Sequence, residues 1–376
     1  MLDLVSKSLN AKKIKYKVLD TLLKPTQFDQ IRSNGNMVNI YIDMESLIKQ
    51  LYNGEASDGI ASELNTMANE DRLFISAEII RYAAHYRHYF ASRLGLPTRI
   101  FFFYSFDKFE QALSTFPDYR KHYYDTRIDD NNPTFGLVTQ NLKMNITAAT
   151  TVMQYIPDLY IYNTGKIEPT LLPSYLLAVD PDPDDMSIIL TNQEIFYQDL
   201  LLKNNTYILE MKSDSSEFFD VKKLMAKWIS GTKKTLADYT GIGPEVLPLA
   251  QVLIKNKELQ FPSVKRMGKT TSLNKLKKLV NSGNLLNTEY IDPEEAYKGL
   301  SSIVDHDTFV NRFKFINHRY MMSRYESTLQ NIIGPAQTIN LTDPEGIKMI
   351  NDNYYSRNPL DLNYLFEGFD QTKFNY

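Results

Sequence analysis

The chain has 376 residues, 43% of them hydrophobic, and a formal net charge of −3. That length and apolar content allow one large α/β domain or two smaller ones around a sizeable core. There is no cysteine, which excludes disulfides, thiolate metal sites and cysteine nucleophiles, and the near-balanced charge means that any nucleic-acid surface must be a local patch.

Residues 1–35 read as a basic extension, a helix and then a loop that ends at the turn signal Ser33-Asn34-Gly35-Asn36. The opening residues MLDLVSKSLNAKKIKYKV lack the apolar stretch of a signal peptide. No apolar run approaches the ~18 residues of a membrane span. The expectation is a cytoplasmic protein without a membrane partner. Frequent Tyr and Asn fit the AT-rich coding of a phage or an AT-rich bacterium; for a phage protein the compartment is the host cytoplasm or the virion.

Residues 37–42 (MVNIYI) predict a buried strand, with Asp43 at its end and a helical pattern over 44–52. A strand that ends in a carboxylate and leads into a helix opens many α/β folds, whose sites lie at the carboxyl ends of the strands. An aromatic helix over 75–94 stops at Gly95 and Pro97. A second strand follows at 99–104 (RIFFFY), then the polar-aromatic stretch FPDYRKHYYDTR from 116 to 127. Residues 136–156 predict a helix, 158–162 a strand and 169–178 a helix. The acidic run DPDPDD at 180–185 leads into strands at 186–190 and 206–211. This alternation argues for an α/β fold with a mainly parallel central sheet and helices on both faces. From 215 to 335 the pattern is mainly helical, and the last forty or so residues are weakly periodic.

Four segments, in this order, resemble the flap endonuclease and 5′→3′ exonuclease family, with its PIN-like fold, and its phage members above all. MVNIYIDMESLIKQLY resembles the family's first strand and its metal-binding Asp. FFFYSFDKF followed by FPDYRKHYYDTR resembles the second strand and the basic "YKxxR" segment. KIEPTLLPSYLLA and IILTNQEIFYQDLL resemble the "EADD" helix and the "SxDxDxxQL" strand end. FPSVKRMGKTTSLNKL resembles the "IPGVxGIGxKTAxxLL" turn of a helix-hairpin-helix. The resemblance runs from about 37 to 280, and the chain reads as an extension (1–35), a PIN-like nuclease domain (36–215), a helical DNA-binding region (216–335) and a tail (336–376).

In that family a carboxylate cluster holds two divalent cations, which polarise the scissile phosphate and activate water. Matched residue by residue, Asp43 is kept, and the second-strand acid falls at Tyr104 or Ser105. Glu168 is kept, with Pro169 and Thr170 where further acids belong, and the paired acids read as Asn192 and Glu194. The last acid falls among Lys255, Asn256 and Lys257. The metal set is then Asp43, Glu168 and Glu194, for magnesium if the protein is active, and no catalytic residue is singled out. Each also has a plain structural reading: Asp43 as a helix cap, Glu168 and Glu194 as first-turn acids. The run 180–185 precedes its strand, so it belongs at the opposite end of the sheet from Asp43 and reads as a solvated loop. The five histidines show no ligand spacing.

The DNA-facing features are fuller. Lys265, Arg266, Lys269, Thr270 and Lys275, continued by Lys277 and Lys278, surround Gly268, where a missing side chain lets a phosphate strand approach. Arg120, Lys121 and Arg127, interleaved with Tyr119, Tyr123 and Tyr124, suit single-strand contact or, alternatively, an amphipathic helix with its Tyr residues inward. The resemblance thus implies a partner that is branched DNA or a single-strand/duplex junction, a degenerate metal site, and cleavage that is weak or lost. Two alternatives stay open: an active, divergent magnesium-dependent 5′ nuclease, and a virion or complex subunit that keeps the fold as a scaffold and meets a phage protein through its tail.

Overall fold

Five short apolar runs build the parallel part of one sheet: β1 (Val38–Asp43), β2 (Thr98–Tyr104), β3 (Leu159–Asn163), β4 (Met186–Leu190) and β5 (Thr206–Glu210). The structure is a computed structural model that describes residues 25–51, 74–121, 133–153, 156, 158–210, 217–230, 242–285, 292–334, 348–349 and 352. The strand order is β3-β2-β1-β4-β5-β6, with β6 (Glu217–Phe219) antiparallel at the edge. The sheet therefore continues past residue 215. A three-residue strand is too short to leave a periodic signal, and the sequence pattern misses it.

Every residue of β1, β4 and β5 is buried, as expected of strands covered on both faces. Alternate side chains divide between two cores. Val38, Ile40 and Ile42 face a core shared with helices α3 (Phe74–Leu94) and α5 (Pro133–Met153). Tyr41, Phe101, Ile189 and Ile208 face a larger core on the other side. There Tyr41, Phe101 and Tyr160 stack across three strands with ring centroids 5.1 Å apart at each step.

Short helices complete the first half: α1 (Pro25–Asn34), α2 (Met44–Leu51), α4 (Glu110–Thr115) and α6 (Leu171–Val179), with a 3-10 helix over Glu194–Leu201. The second half is helical: α7 (Val221–Ser230), α8 (Leu247–Leu253), α9 (Lys269–Asn281), α10 (Pro293–Leu300), α11 (His306–Ile316) and α12 (His318–Ile333). Leu249, Leu273, Phe309 and Met321 of this half join the larger core, so the helices sit directly on the sheet. The fold is α/β, a mostly parallel central sheet with helices on both faces and a helical region.

The acidic run does sit at the amino ends of the strands, but it is more than a solvated loop. Asp185 is buried, and its Oδ1 accepts the backbone N–H groups of Asn36 (2.8 Å) and Met37 (2.7 Å) where β1 begins. Asp180 pairs with Lys203 and accepts from Asn39 Nδ2. Asp185 thus supplies the acceptor for backbone donors that the start of a strand leaves unpaired.

At the carboxyl ends the chain order reverses between β1 and β4. Such a switch point is where open α/β folds place ligands. Asp43 is the last residue of β1 and lies opposite Phe103 of β2, while Ile42 lies opposite Leu190, the last residue of β4.

Candidate active site

Asp43 is 2% exposed and surrounded by donors. Its Oδ1 accepts the Glu45 N–H at 3.0 Å, the helix-capping role. Its Oδ2 accepts from Ser46 Oγ, Thr191 Oγ1 (2.8 Å) and Gln193 Nε2 (2.9 Å). The two hydroxyls are themselves fixed: the Asn192 N–H donates to Ser46 Oγ and the Gln193 N–H to Thr191 Oγ1, each at 3.0 Å. Burial, with the Glu45 charge second, holds the Asp43 carboxyl above the usual carboxylate range.

This network corrects the register of the paired positions by one residue. Thr191 and Gln193, not Asn192 and Glu194, turn toward Asp43. Asn192 is exposed, and Glu194 points away to accept from Lys269 Nζ at 2.8 Å. Successive side chains at a strand end alternate in direction, so a slip of one exchanges the inward pair for the outward pair.

Arg120 is the second correction. The expected strand-facing cation is 2% exposed and turned inward. One guanidinium nitrogen donates to Glu45 Oε2; the other donates to Glu168 Oε1 at 2.7 Å and lies 3.4 Å from Gln193 Oε1. Tyr119, also buried, donates to the other Glu168 oxygen. Arg120 has a left-handed backbone (φ 47°), and its N–H donates to the carbonyl of Leu259 at 3.1 Å. Lys121 is exposed beside Asp118, and Arg127, Tyr123 and Tyr124 lie outside the described residues. The sequence reading missed Glu45. It stands two residues after Asp43 in the first turn of α2, and that spacing was the available signal.

Asp43, Glu168 and Glu194 thus do not form one cluster. Asp43 and Glu168 belong to a site completed by Glu45, and Glu194 belongs to a neighbouring cleft. The cavity left beside Asp43, Arg120 and Gln193 is about 20 Å³, room for roughly one water molecule. Among the described residues no group of three or more His, Asp or Glu side chains is disposed to hold a metal ion. A hard divalent cation needs several oxygen ligands open to it. Here a guanidinium takes one oxygen each of Glu45 and Glu168, Tyr119 takes the other Glu168 oxygen, and neutral donors take those of Asp43. The described residues do not fit the two-cation site that the resemblance implies. Ser105 does not replace the missing acid: its hydroxyl donates to the Gly165 carbonyl at 2.5 Å and accepts the Asp107 N–H.

The neighbouring cleft, about 650 Å³, opens between the ends of β4 and β5 and the loop from α8 to α9. Glu194, Glu210, Lys227, Lys255, Lys257 and Lys269 line it. Lys227 pairs with Glu210 at 3.0 Å, and Lys269 lies over the Trp228 ring at 5.2 Å while bonding Glu194. Lys265, Arg266 and Gly268 are exposed at the tip of the loop, and Thr270 and Lys275 are half-buried on α9. Helices α10, α11 and α12 begin with side-chain caps from Asp292, Asp305 and Asn317, whereas α9 begins at Gly268 without one. A side chain at Gly268 would meet nothing within 4 Å, so the amino end of α9 faces open space.

The α8–α9 loop is held from beneath by Arg312, which sequence reasoning did not single out. Arg312 is 2% exposed and donates to the carbonyls of Val252, Ile254 and Pro262, with its guanidinium 5.5 Å from the Phe261 ring centre. His318 was also missed. It is buried with Ser174 and Asp199, its Nδ1 2.8 Å from both, and ties α6, the 3-10 helix and α12 together. Burial pushes the Asp199 carboxyl up.

No protein-family model matches the chain, and no curated protein matches it. Solved structures do. The D15 protein of bacteriophage T5, co-crystallised with metal ions, superposes with a TM-score of 0.50 at 9% identity, over 80% of this chain and 99% of that one. T5 5′-exonuclease with bound zinc gives 0.47 at 10% identity, over 84% and 99%. The catalytic core of Rad2 in complex with DNA gives 0.35 at 11% identity, over 87% and 90%. With the mostly parallel sheet and the helices packed on it, the T5 D15 superposition shows that this chain has the fold of the 5′-nucleases.

Proposed function

We propose that this protein is a DNA-binding member of the 5′-nuclease fold, of phage type, in which cleavage is weak or lost. The observation that carries this reading is Arg120, seated between Glu45 and Glu168 at the switch point, with Thr191 and Gln193 giving hydrogen bonds to Asp43 where the resemblance calls for acids. A scissile phosphate needs cations and an open floor there. It meets a protein cation and a cavity of about 20 Å³.

The DNA half of the reading is supported by the α8–α9 loop. Exposed Lys265 and Arg266 precede an open Gly268 at the uncapped start of α9, an arrangement that suits one phosphate strand of a branched or single-strand/duplex DNA. Lys269 and Thr270 frame the same opening, and Lys275 lies further along the same helix. The tail, most of which lies outside the described residues, is proposed as the arm toward a phage protein.

The test has two readouts on one 5′-flap duplex. Binding is expected at low salt and is expected to weaken steeply as salt rises. Cleavage with magnesium or manganese is expected to be no greater than that of Asp43→Ala. Robust cleavage abolished by Asp43→Ala would overturn the loss of activity; absence of binding at low salt would overturn the DNA reading.

A further inference from the structure

We propose that Arg120 is an internal counter-ion occupying a cation site of this chain, so that a protein cation stands between Glu45 and Glu168 in the place of a divalent metal. The inference deepens the reading of the active site above but does not depend on DNA binding. It starts from what the guanidinium touches. Its terminal nitrogens meet three oxygens from three different elements: Glu45 Oε2 on α2, Glu168 Oε1 before α6, and Gln193 Oε1 after β4, the last two at 2.7 and 3.4 Å from one nitrogen. Oxygens converging from separate elements are the shell that a hard cation asks for. A delocalised planar cation with several donors fills such a shell without metal.

The placement is built and not incidental. Arg120 lies in a backbone region that L-residues seldom occupy, at φ 47°, and such conformations persist where the surroundings over-determine them. The surroundings here are specific. The Leu259 carbonyl takes the Arg120 N–H. Tyr119, packed edge-on against Phe109 at 6.0 Å and tilted against Phe261 at 5.5 Å, reaches the same Glu168 carboxylate. These neighbours together aim this one side chain at the cluster. A strand-contacting arginine on a surface would need neither the buried tyrosine nor the left-handed backbone. A guanidinium already within hydrogen-bond distance also keeps a divalent ion from the same three oxygens, by charge repulsion and by standing where the ion would have to bind.

The converse follows from the same geometry. Removing the guanidinium while keeping Glu45, Glu168 and Gln193 leaves an unneutralised oxygen shell, and a hard cation is its natural occupant. The experiment is thermal denaturation of the full chain in EDTA and in millimolar Mn²⁺, with Mn²⁺ binding followed by electron paramagnetic resonance. For the wild type the melting temperature is expected to be the same in both, with no tightly bound Mn²⁺. For Arg120→Ala it is expected to fall by several degrees in EDTA, to recover in part with Mn²⁺, and one Mn²⁺ is expected to bind per chain. Arg120→Lys, which keeps a cation, is expected to bind no Mn²⁺. Tight Mn²⁺ binding by the wild type, or an Arg120→Ala chain that melts like the wild type or ignores Mn²⁺, would overturn the proposal. If Arg120→Ala does not fold in EDTA, folding rescued by Mn²⁺ supports the proposal and failure to fold in both media overturns it. None of these outcomes depends on whether the protein binds or cleaves DNA.

Discussion

Gln193 Nε2 donates to Asp43 Oδ2 at 2.9 Å, joining the third residue past β4 to the last residue of β1. The two strands are neighbours in the sheet although nearly 150 residues separate them in the chain. The bond joins a buried acid to a neutral amide across the switch point. A pair of acids there would repel each other unless a cation or a shared proton lay between them.

Gln193→Glu should therefore destabilise the fold by ~1–3 kcal/mol at neutral pH, because it trades a donor for a second acid against a buried carboxylate. The added charge would push the already raised Asp43 carboxyl further up. The variant would lose little stability below the ordinary carboxylate range and progressively more as pH rises above it. Urea denaturation at acidic and at neutral pH measures this; an equal cost at both would contradict it.

Arg312 anchors the α8–α9 loop through three buried carbonyls, and burial pushes its guanidinium down to about 10. Arg312→Met removes all three bonds and should cost ~3–5 kcal/mol. Arg312→Lys should recover little of that, since an ammonium cannot reproduce the planar fork. Chemical denaturation gives the stabilities. DNA binding measured below the unfolding transition should weaken as well, because the loop that carries Lys265 and Arg266 loses its support.

Lys265→Glu combined with Arg266→Glu should weaken DNA binding at every sequence tested and flatten its salt dependence. Each phosphate that the protein no longer neutralises lowers the slope of log K against log salt by ~0.9 for duplex DNA. Lys269→Ala should have a smaller effect on the slope, because Lys269 already bonds Glu194 and lies over Trp228. Fluorescence anisotropy across a salt series separates the two cases, and equal slopes for both variants would refute the assignment.

Asp199 is fully buried beside His318 and Ser174, and its folded carboxyl is raised from 3.8, chiefly by burial. The folded chain binds the proton there more tightly than the unfolded chain does. Stability should accordingly decline as pH rises from the ordinary carboxylate range through the elevated value. Asp199→Asn lacks that titration, so the stability of the wild type relative to this variant should decrease as pH rises above the ordinary carboxylate range. A gap that stays constant or widens with pH would remove Asp199 as the source.

Much of the scaffold could be read along the chain. The runs at 37–42, 99–104, 158–162, 186–190 and 206–211 each correspond to a strand within a residue or so at either end, because strands buried on both faces leave continuous apolar runs. Asp43 at a strand end was visible for the same reason. Glu45 was not, since a charged residue in the first turn of a helix looks like any solvated acid until Arg120 is seen beside it. Arg312 was hidden in the same way: along the chain it is one cation on an amphipathic helix, and its three acceptors lie 50 to 60 residues away.

The α/β class, the strand that ends in Asp43 and the cationic loop around Gly268 are written in the amino-acid order alone, because they rest on local propensity and hydrophobic period. Which side chains meet at the switch point is settled in three dimensions. Whether Thr191 and Gln193 or Asn192 and Glu194 face Asp43 depends on one residue of register at a strand end. Whether Arg120 meets DNA or fills the cluster depends on a left-handed backbone and on the Leu259 carbonyl, 139 residues further along. Direction at a strand end and long-range pairing are properties of the assembled fold, and no local pattern carries them.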